Sequence, residues 1–158
     1  MGNALKAKIK QQADFESPGS EAILNLLVAA DTVRGLSERF FAGYEITATQ
    51  YNVLRILKGA GRNGHPRCEI AARMLEKAPD ITRLIDRLEK QKLVIRGRSD
   101  EDRRQSVTRI TDRGLELLCR IEPELQKFSA RIFEKLSVAE WLALTKICEK
   151  IYEGQVKT

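Results

Sequence analysis

The sequence predicts a mostly α-helical fold with one two-stranded β-hairpin, and three observations lead to that class. Apolar residues recur at the three- and four-residue steps of helices over most of the chain. Only between about residues 93 and 110 does the period change to the two-residue alternation of strands. A length of 158 residues with 42% hydrophobic residues suits a single globular domain.

The first long helix is predicted to follow a polar N-terminal arm, residues 1–16, for which the periodicity also allows a marginal helix. Ser17 is typical of an N-cap, and Pro18 suits the first helical position. The helical stripe that runs from there to Gly43 consists of Ile23, Leu26, Leu27, Ala30, Val33, Phe40 and Phe41. Because so apolar a stripe is unstable in water, we expect another surface to cover it.

Three shorter helices are predicted next. Thr47 and Gln50 form a capping box, and the helix that they start ends at the glycines of residues 59–61. A brief third helix is marked by Ile70, Ala71 and Met74. Pro79 marks the start of the fourth. The inner side of this fourth helix carries Ile81, Leu84, Ile85 and Leu88.

The β-hairpin is predicted from two alternating, β-branched segments, 93–98 and 105–110, on either side of a polar tip. Helical spacing resumes after Thr111, and Pro123 is expected to kink or divide that helix. A second capping box, Ser137 to Glu140, precedes the last helix. Its apolar stripe consists of Trp141, Leu144, Ile147, Cys148 and Ile151.

The positive charge is concentrated in the middle of the chain. Residues 62–109 carry thirteen basic and eight acidic side chains, an excess of +5. Residues 1–61 carry seven basic and six acidic side chains, and residues 110–158 carry eight of each, so nearly all of the net charge of +6 lies in one third of the sequence. This distribution is typical of a localised polyanion-binding surface. A basic solvated face without function is the other interpretation.

The order of the elements decides between them, because three helices followed by a hairpin form a winged helix-turn-helix. A major groove accommodates one α-helix, so the helix that starts at Pro79 is the predicted recognition helix. Its outward side chains, the candidate DNA contacts, are Asp80, Thr82, Arg83, Asp86 and Arg87. An ion pair between Asp86 and Arg83 on an ordinary surface helix is the competing interpretation.

The hairpin, or wing, adds four arginines that suit an adjacent minor groove. These candidate DNA contacts are Arg96, Arg98, Arg103 and Arg104. Asp102 is expected to orient one of these arginines through a bidentate hydrogen bond.

Four segments together resemble the MarR family of bacterial transcription regulators: 46–54, 80–89, 102–104 and 110–114. The resemblance implies a homodimeric winged-helix regulator, usually a repressor, that binds a palindromic operator. By position it assigns Asp80, Thr82 and Arg83 to the recognition helix, and Asp102 and Arg104 to the Asp-x-Arg of the wing. It also implies a small aromatic or amphipathic ligand, bound between the dimer helices and the DNA-binding lobe.

We therefore expect a single domain, residues 1–158, with three parts besides the arm. Residues 17–45 and 112–158 are the predicted dimerisation helices, and residues 46–111 are the predicted DNA-binding lobe. The partners expected are double-stranded DNA and a second copy of the chain.

Other functions find little support in the sequence. The only histidine, His65, accompanies no nucleophile, zinc or Walker motif, so we expect no enzyme, no metal and no cofactor. No apolar segment reaches the ~20 residues of a membrane span, and the N-terminus lacks the apolar core of a signal peptide. A cytoplasmic regulator, bound to the bacterial nucleoid when on DNA, is expected.

The three cysteines are too few and too far apart for a disulfide framework. Cys119 and Cys148 lie on apolar stripes, where core packing is the predicted role. Cys68 follows Arg67, which leaves a thiol redox-sensing regulator as one alternative. A winged helix that binds an acidic protein instead of DNA is the other.

Overall fold

The fold is known from a computed structural model, which describes residues 3–76, 80–99 and 104–153. The helices are α1 (Asn3–Ile9), α2 (Pro18–Ala42), α3 (Ala48–Ala60), α4 (Arg67–Ala72), α5 (Ile81–Lys90), α6 (Asp112–Ile132) and α7 (Val138–Glu153). The strands are β1 (Val94–Arg98) and β2 (Ser106–Ile110). A single turn of 3₁₀ helix, Gly61–Asn63, follows α3. This order confirms the predicted mostly α-helical class with one hairpin.

The predicted helix starts form through local side-chain caps. The Ser17 hydroxyl accepts a hydrogen bond from the backbone N–H of Ser20 at the start of α2. At α3 both halves of the capping box are present, with Thr47 and Gln50 each accepting from the other's backbone N–H. Each cap satisfies N–H groups that have no partner inside their helix.

Pro123 lies inside α6, which continues on both sides of it. The sequence predicts that this proline kinks or divides the helix, and the division does not occur. Ile121 before it is fully buried, and Leu125 after it packs against the same core. Packing on both sides compensates for the hydrogen bond that a proline removes.

The hairpin is antiparallel, with a register from Val94 opposite Ile110 to Arg98 opposite Ser106. A third backbone segment joins it, because His65 and Thr108 exchange N–H···O hydrogen bonds of 3.0 and 2.8 Å. Gly64 precedes this contact at φ +68°, and a Cβ there would overlap the Thr108 carbonyl. The loop before α4 is thus fixed against β2 of the wing. The close approach and the positive φ leave only glycine suitable at position 64.

The hydrophobic core lies in the DNA-binding lobe and the adjoining half of α6. Its fully buried side chains come from α3, α4, α5 and α6. They are Val53, Leu54, Leu57, Ile70, Leu88, Leu118 and Ile121, with Ile85 almost as deep. The end of α2 joins the core through Phe41, whose ring stacks on Tyr51 at 4.7 Å between centroids.

The outer helices differ from this lobe. In the single chain α7 has no buried residue, and its apolar side chains are open to solvent. Ile147 is 56% exposed there, and Ile23 and Leu27 on α2 are 61% and 59% exposed. Apart from Phe40 and Phe41 at the end of α2, the predicted apolar stripes of α2 and α7 therefore lack a cover in the described part of the chain.

The cysteines also differ from the prediction. Cys119 is exposed, so its predicted core role is wrong. The buried face of α6 follows Leu117, Leu118 and Ile121, and Cys119 lies about 100° around the helix from Leu118. Cys148 is half-buried, and Cys68 is exposed.

Candidate nucleic-acid interface

The start of α5 is fixed by Asp80, although Pro79 lies outside the described residues. One carboxylate oxygen of Asp80 accepts from the backbone N–H of Arg83 at 3.0 Å, which is an N-cap bond. The other lies 3.0 Å from Nε of the same arginine. Asp80 thus caps the helix and holds one side chain of its outer face.

The two faces of α5 divide as the sequence predicts. Ile85 and Leu88 are buried, and Ile81 and Leu84 pack partly against the core. Thr82, Arg83 and Arg87 are exposed on the opposite side, and Asp86 is half-buried. The Arg83 side chain is 81% exposed despite its pairing with Asp80. The outer face of α5 therefore exposes hydrogen-bond donors to solvent, on a surface narrow enough to enter the major groove of DNA.

Two predicted DNA contacts, Asp86 and Arg96, bind each other instead of projecting separately. The Arg96 guanidinium, on β1, forms an ion pair with Asp86 on α5. Its Nη1 also lies 3.0 Å from the Glu89 carboxylate, which in turn accepts from the Arg96 backbone N–H at 3.2 Å. The competing pair between Asp86 and Arg83 does not form. These bonds fix the angle between the wing and the recognition helix.

The opposite face of the wing is held by a second arginine, Arg109. Its Nε donates to the Arg62 carbonyl at 2.7 Å, and its two Nη atoms each lie 3.2 Å from the Arg98 carbonyl. Gly97 gives this guanidinium room, because a Cβ there would lie 3.0 Å from Nη1. The sequence analysis missed Arg109, since nothing in its spacing distinguishes it from the arginines toward the tip.

Of the arginines predicted at the wing tip, Arg98 and Arg104 are exposed. Arg103 and Asp102 lie outside the described residues, so the predicted orienting bond of Asp102 stays a prediction.

A further basic side chain, Arg67 at the start of α4, lies against the recognition helix. Its Nη1 donates to the Thr82 hydroxyl at 2.9 Å. The sequence analysis named Arg67 only as the neighbour of Cys68. The two partners are fifteen positions apart, and no periodic signal in the sequence pairs them.

A cleft of about 670 Å³ lies between α2, the start of α3 and α5. Arg34 and Glu38 line it from α2, and Met74, Leu84 and Arg87 line it on the other side. Arg83 and Asp80 also reach it. One face of α5 is thus exposed to solvent, and one edge of it lines the cleft. The volume of this cleft is in the range of small-molecule binding sites.

Two classes of site are not seen in the part of the chain that the structure describes. No group of three or more His, Cys, Asp or Glu side chains could hold a metal ion there. None of the helices described has the length and apolar character needed to cross a bilayer.

The lobe that carries this surface matches a known family. Residues 46–106 fit the model of the MarR family. A MarR transcription factor from Planctomyces limnophilus, solved as a crystal structure, is 38% identical, and the match covers 86% of this chain and 98% of that one with a TM-score of 0.67. The chain belongs to the MarR family. The resemblance stated from the sequence and the winged-helix architecture are both confirmed.

Two other proteins extend the comparison. The transcriptional regulator MhqR of Bacillus subtilis is 34% identical over 59% of this chain, a match that spans 61% of MhqR. The MepR–DNA complex of S. aureus shares the fold with a TM-score of 0.71, at 19% identity over 84% of this chain and 96% of that one. The Planctomyces limnophilus protein is thus a MarR transcription factor, and MhqR is a helix-turn-helix transcriptional regulator.

Proposed function

We propose that this MarR-family chain is a repressor that binds a palindromic operator as a homodimer. The observation that carries the proposal is the exposed face of α5, with Thr82, Arg83 and Arg87, beside a wing fixed to it through Arg96. Recognition helices of this kind enter the major groove with their N-terminal residues toward the bases. MepR, which has the same fold, was crystallised in a complex with DNA, the partner proposed for this chain.

The dimer in this proposal is formed by the predicted dimerisation helices, residues 17–45 and 112–158. The exposed apolar stripes of α2 and α7 support it, since monomeric proteins rarely leave surfaces of this kind in water. A twofold dimer presents two recognition helices to half-sites ~34–36 Å apart, which a palindromic operator requires. The N-terminal arm, 1–16, and the lobe, 46–111, complete the single domain that we propose.

Each predicted site residue has a proposed role. Thr82, Arg83 and Arg87 contact the major groove, and the arginines of the wing contact the flanking minor groove: Arg98, Arg103 and Arg104. Asp80, Asp86 and Arg96 position these elements, because their charged groups already bind one another or the helix start. Asp102 is proposed to orient an arginine at the wing tip.

The test is a salt titration on duplex DNA of the parent and of Arg83→Ala and Arg104→Ala. Removal of an arginine that contacts a phosphate should lower the slope of log affinity against log salt by about one. Removal of an arginine that contacts a base should relax the preference at one operator position by ~1–3 kcal/mol. Arg131→Ala, on α6 outside the lobe, is the control and should bind like the parent. If both lobe variants also bind like the parent, the assignment of these two residues is wrong.

A small aromatic or amphipathic ligand is part of the proposal, and the cleft beside α5 is its site. Arg87 offers a cationic group there, while Arg34 and Arg83 are paired with the lining carboxylates Glu76 and Asp80. Met74 and Leu84 offer apolar contacts. A ligand that binds one spacing of the two recognition helices more tightly than the other shifts the operator affinity. A panel of aromatic carboxylates, titrated against the protein on its operator, tests this. Release by none of them contradicts the ligand class.

In this proposal the protein binds DNA and its ligand without catalysing a reaction, and it does so in the bacterial cytoplasm. Neither alternative from the sequence gains a specific contact in the part of the chain that the structure describes. Cys68 is an exposed free cysteine there, and it belongs to no group of side chains among the described residues that could hold a metal ion.

A further inference from the structure

Arg67 lies at the centre of the proposed DNA-binding surface although it belongs to a different helix. It is the first residue of α4, and both its side chain and Thr82 are exposed. The 2.9 Å bond from its Nη1 to the Thr82 hydroxyl brings the guanidinium to the first turn of α5. In a helix-turn-helix this first turn is the part of the recognition helix that contacts base edges.

The bond also determines what the two side chains offer to a ligand. The hydroxyl oxygen of Thr82 accepts from Arg67, so its own hydrogen points elsewhere and is available to donate. Arg67 donates through Nη1 and keeps the hydrogens of its Nε and Nη2 edge. Arg67 and Thr82 together therefore present hydrogen-bond donors, and the partner that fits them is a pair of acceptors.

Neighbouring arginines are less suited to this role. Arg83 bends back to Asp80, with its Nε 3.0 Å from the carboxylate, so that same edge is already occupied. Arg73, the C-cap residue directly after α4, forms an ion pair with Glu69 one turn away. Among the residues that the structure describes, Arg67 has no carboxylate partner, and its bound group is a neutral hydroxyl.

We propose that Arg67 recognises a guanine in each half-site, with its Nε and Nη2 donating to N7 and O6, and that Thr82 holds the guanidinium in place. Guanine is the base that presents two acceptors on its major-groove edge, and a bidentate arginine is the usual side chain for it. The inference rests on the proposed operator binding. It adds a base contact from α4, a helix that the sequence analysis did not connect with DNA.

The experiment starts from an operator selected from random duplexes with the parent protein. Affinities of the parent, Arg67→Ala, Arg67→Lys and Thr82→Val are then measured on this operator and on single base-pair substitutions. Arg73→Ala is the matched control, because it removes an equal charge from an exposed position at the other end of the same helix, its C-cap. Thermal unfolding of each variant checks that the fold is intact.

We expect Arg67→Ala to lower the affinity for the selected operator by about 10- to 100-fold and to remove the preference at one G·C pair in each half-site. Arg67→Lys keeps the charge but lacks the planar fork, so it should lose the same preference while retaining the salt dependence. Thr82→Val should weaken that preference, and Arg73→Ala should leave it unchanged.

Three results would overturn the inference. A loss that is equal on all sequences, with a salt slope lowered by about one, would make Arg67 a phosphate contact. Unchanged binding by Arg67→Ala would remove it from the interface. If the parent selects no duplex at all, the proposed function fails first and this inference with it, which differs from a failure confined to the Arg67 variants.

Discussion

The DNA-binding lobe and the outer helices have similar apolar patterns in the sequence but opposite surroundings in the structure. Leu54 and Leu88, in the lobe, are fully buried within the chain. Leu142 and Ile147, on α7, are 59% and 56% exposed. A helical stripe therefore predicts that a face will be covered, but it does not say whether the cover comes from the same chain. Four predictions break or sharpen this comparison.

The largest effect is expected from a charge on the exposed stripe of α7. Ile147→Glu should convert the dimer to monomer, because burying an unpaired carboxylate at the interface costs roughly 3 kcal/mol or more. That raises the dissociation constant by at least about a hundredfold. Sedimentation equilibrium measures it, with Lys146→Glu on the same helix as the control.

If Ile147→Glu stays dimeric, a second copy of the chain does not cover the apolar face of α7. The contrast between the lobe and the outer helices would then not be explained by dimerisation. The lobe should remain folded in either variant, which far-ultraviolet circular dichroism checks.

The joint between the two regions provides the next test. At Gly114, in the first turn of α6, an added Cβ would overlap the Leu93 carbonyl oxygen that precedes β1. Gly114→Ala should therefore lower the free energy of unfolding by about 2 kcal/mol. Gly59→Ala in α3 meets no atom within 4 Å and should be neutral or stabilising by up to about 1 kcal/mol.

Urea unfolding of both glycine variants measures the difference. Equal free energies of unfolding would show that the joint is not tightly packed, contrary to the close approach of α6 to β1.

Within the lobe, the ion pair of Arg96 with Asp86 helps to fix the wing against α5. Arg96→Ala should lower operator affinity about tenfold, or about 1.4 kcal/mol, because the wing loses its fixed angle to α5. The salt slope should stay unchanged, since a paired arginine neutralises no phosphate. A slope lowered by about one would make Arg96 a DNA contact, as its position in the sequence first suggested.

Asp86→Asn is the matched variant and should cause a similar loss. The double variant should bind about as well as either single variant, which a double-mutant cycle measures.

The smallest effect is expected at Glu122, where α6 meets α3. A hydrogen bond from Lys58 lowers the pKa of this carboxyl below its ordinary value of 4.5. Its contribution to stability is therefore complete above 4.5 and is lost as the pH falls through the lowered folded-state pKa. Glu122→Gln should cost about 0.5 kcal/mol near neutral pH, since the pair is partly exposed.

Urea unfolding across this pH range should show the difference between parent and variant shrinking in acid. Glu124→Gln, which pairs only with Lys127 on its own helix, is the control. A difference that is independent of pH would contradict an electrostatic origin.

Local signals predicted most of the fold. The caps at Ser17 and Thr47 and the change of period at the hairpin involve residues a few positions apart, so the sequence contains the whole interaction. Cys119 is the exception, because it follows Leu118 in the sequence but lies outside the buried face of α6, which carries Leu117, Leu118 and Ile121. Pro123 predicts a kink or a division of its helix, and packing on both sides keeps that helix continuous.

The sequence by itself determined the order of elements, the basic middle third and the outward face of α5, since each depends on spacing along one segment. Only the tertiary structure decided how the arginines are used. Arg96 binds Asp86 and Glu89, Arg109 binds two backbone carbonyls, and Arg67 binds Thr82. Each of these contacts joins two elements, and which arginine meets which partner depends on the angle at which those elements pack.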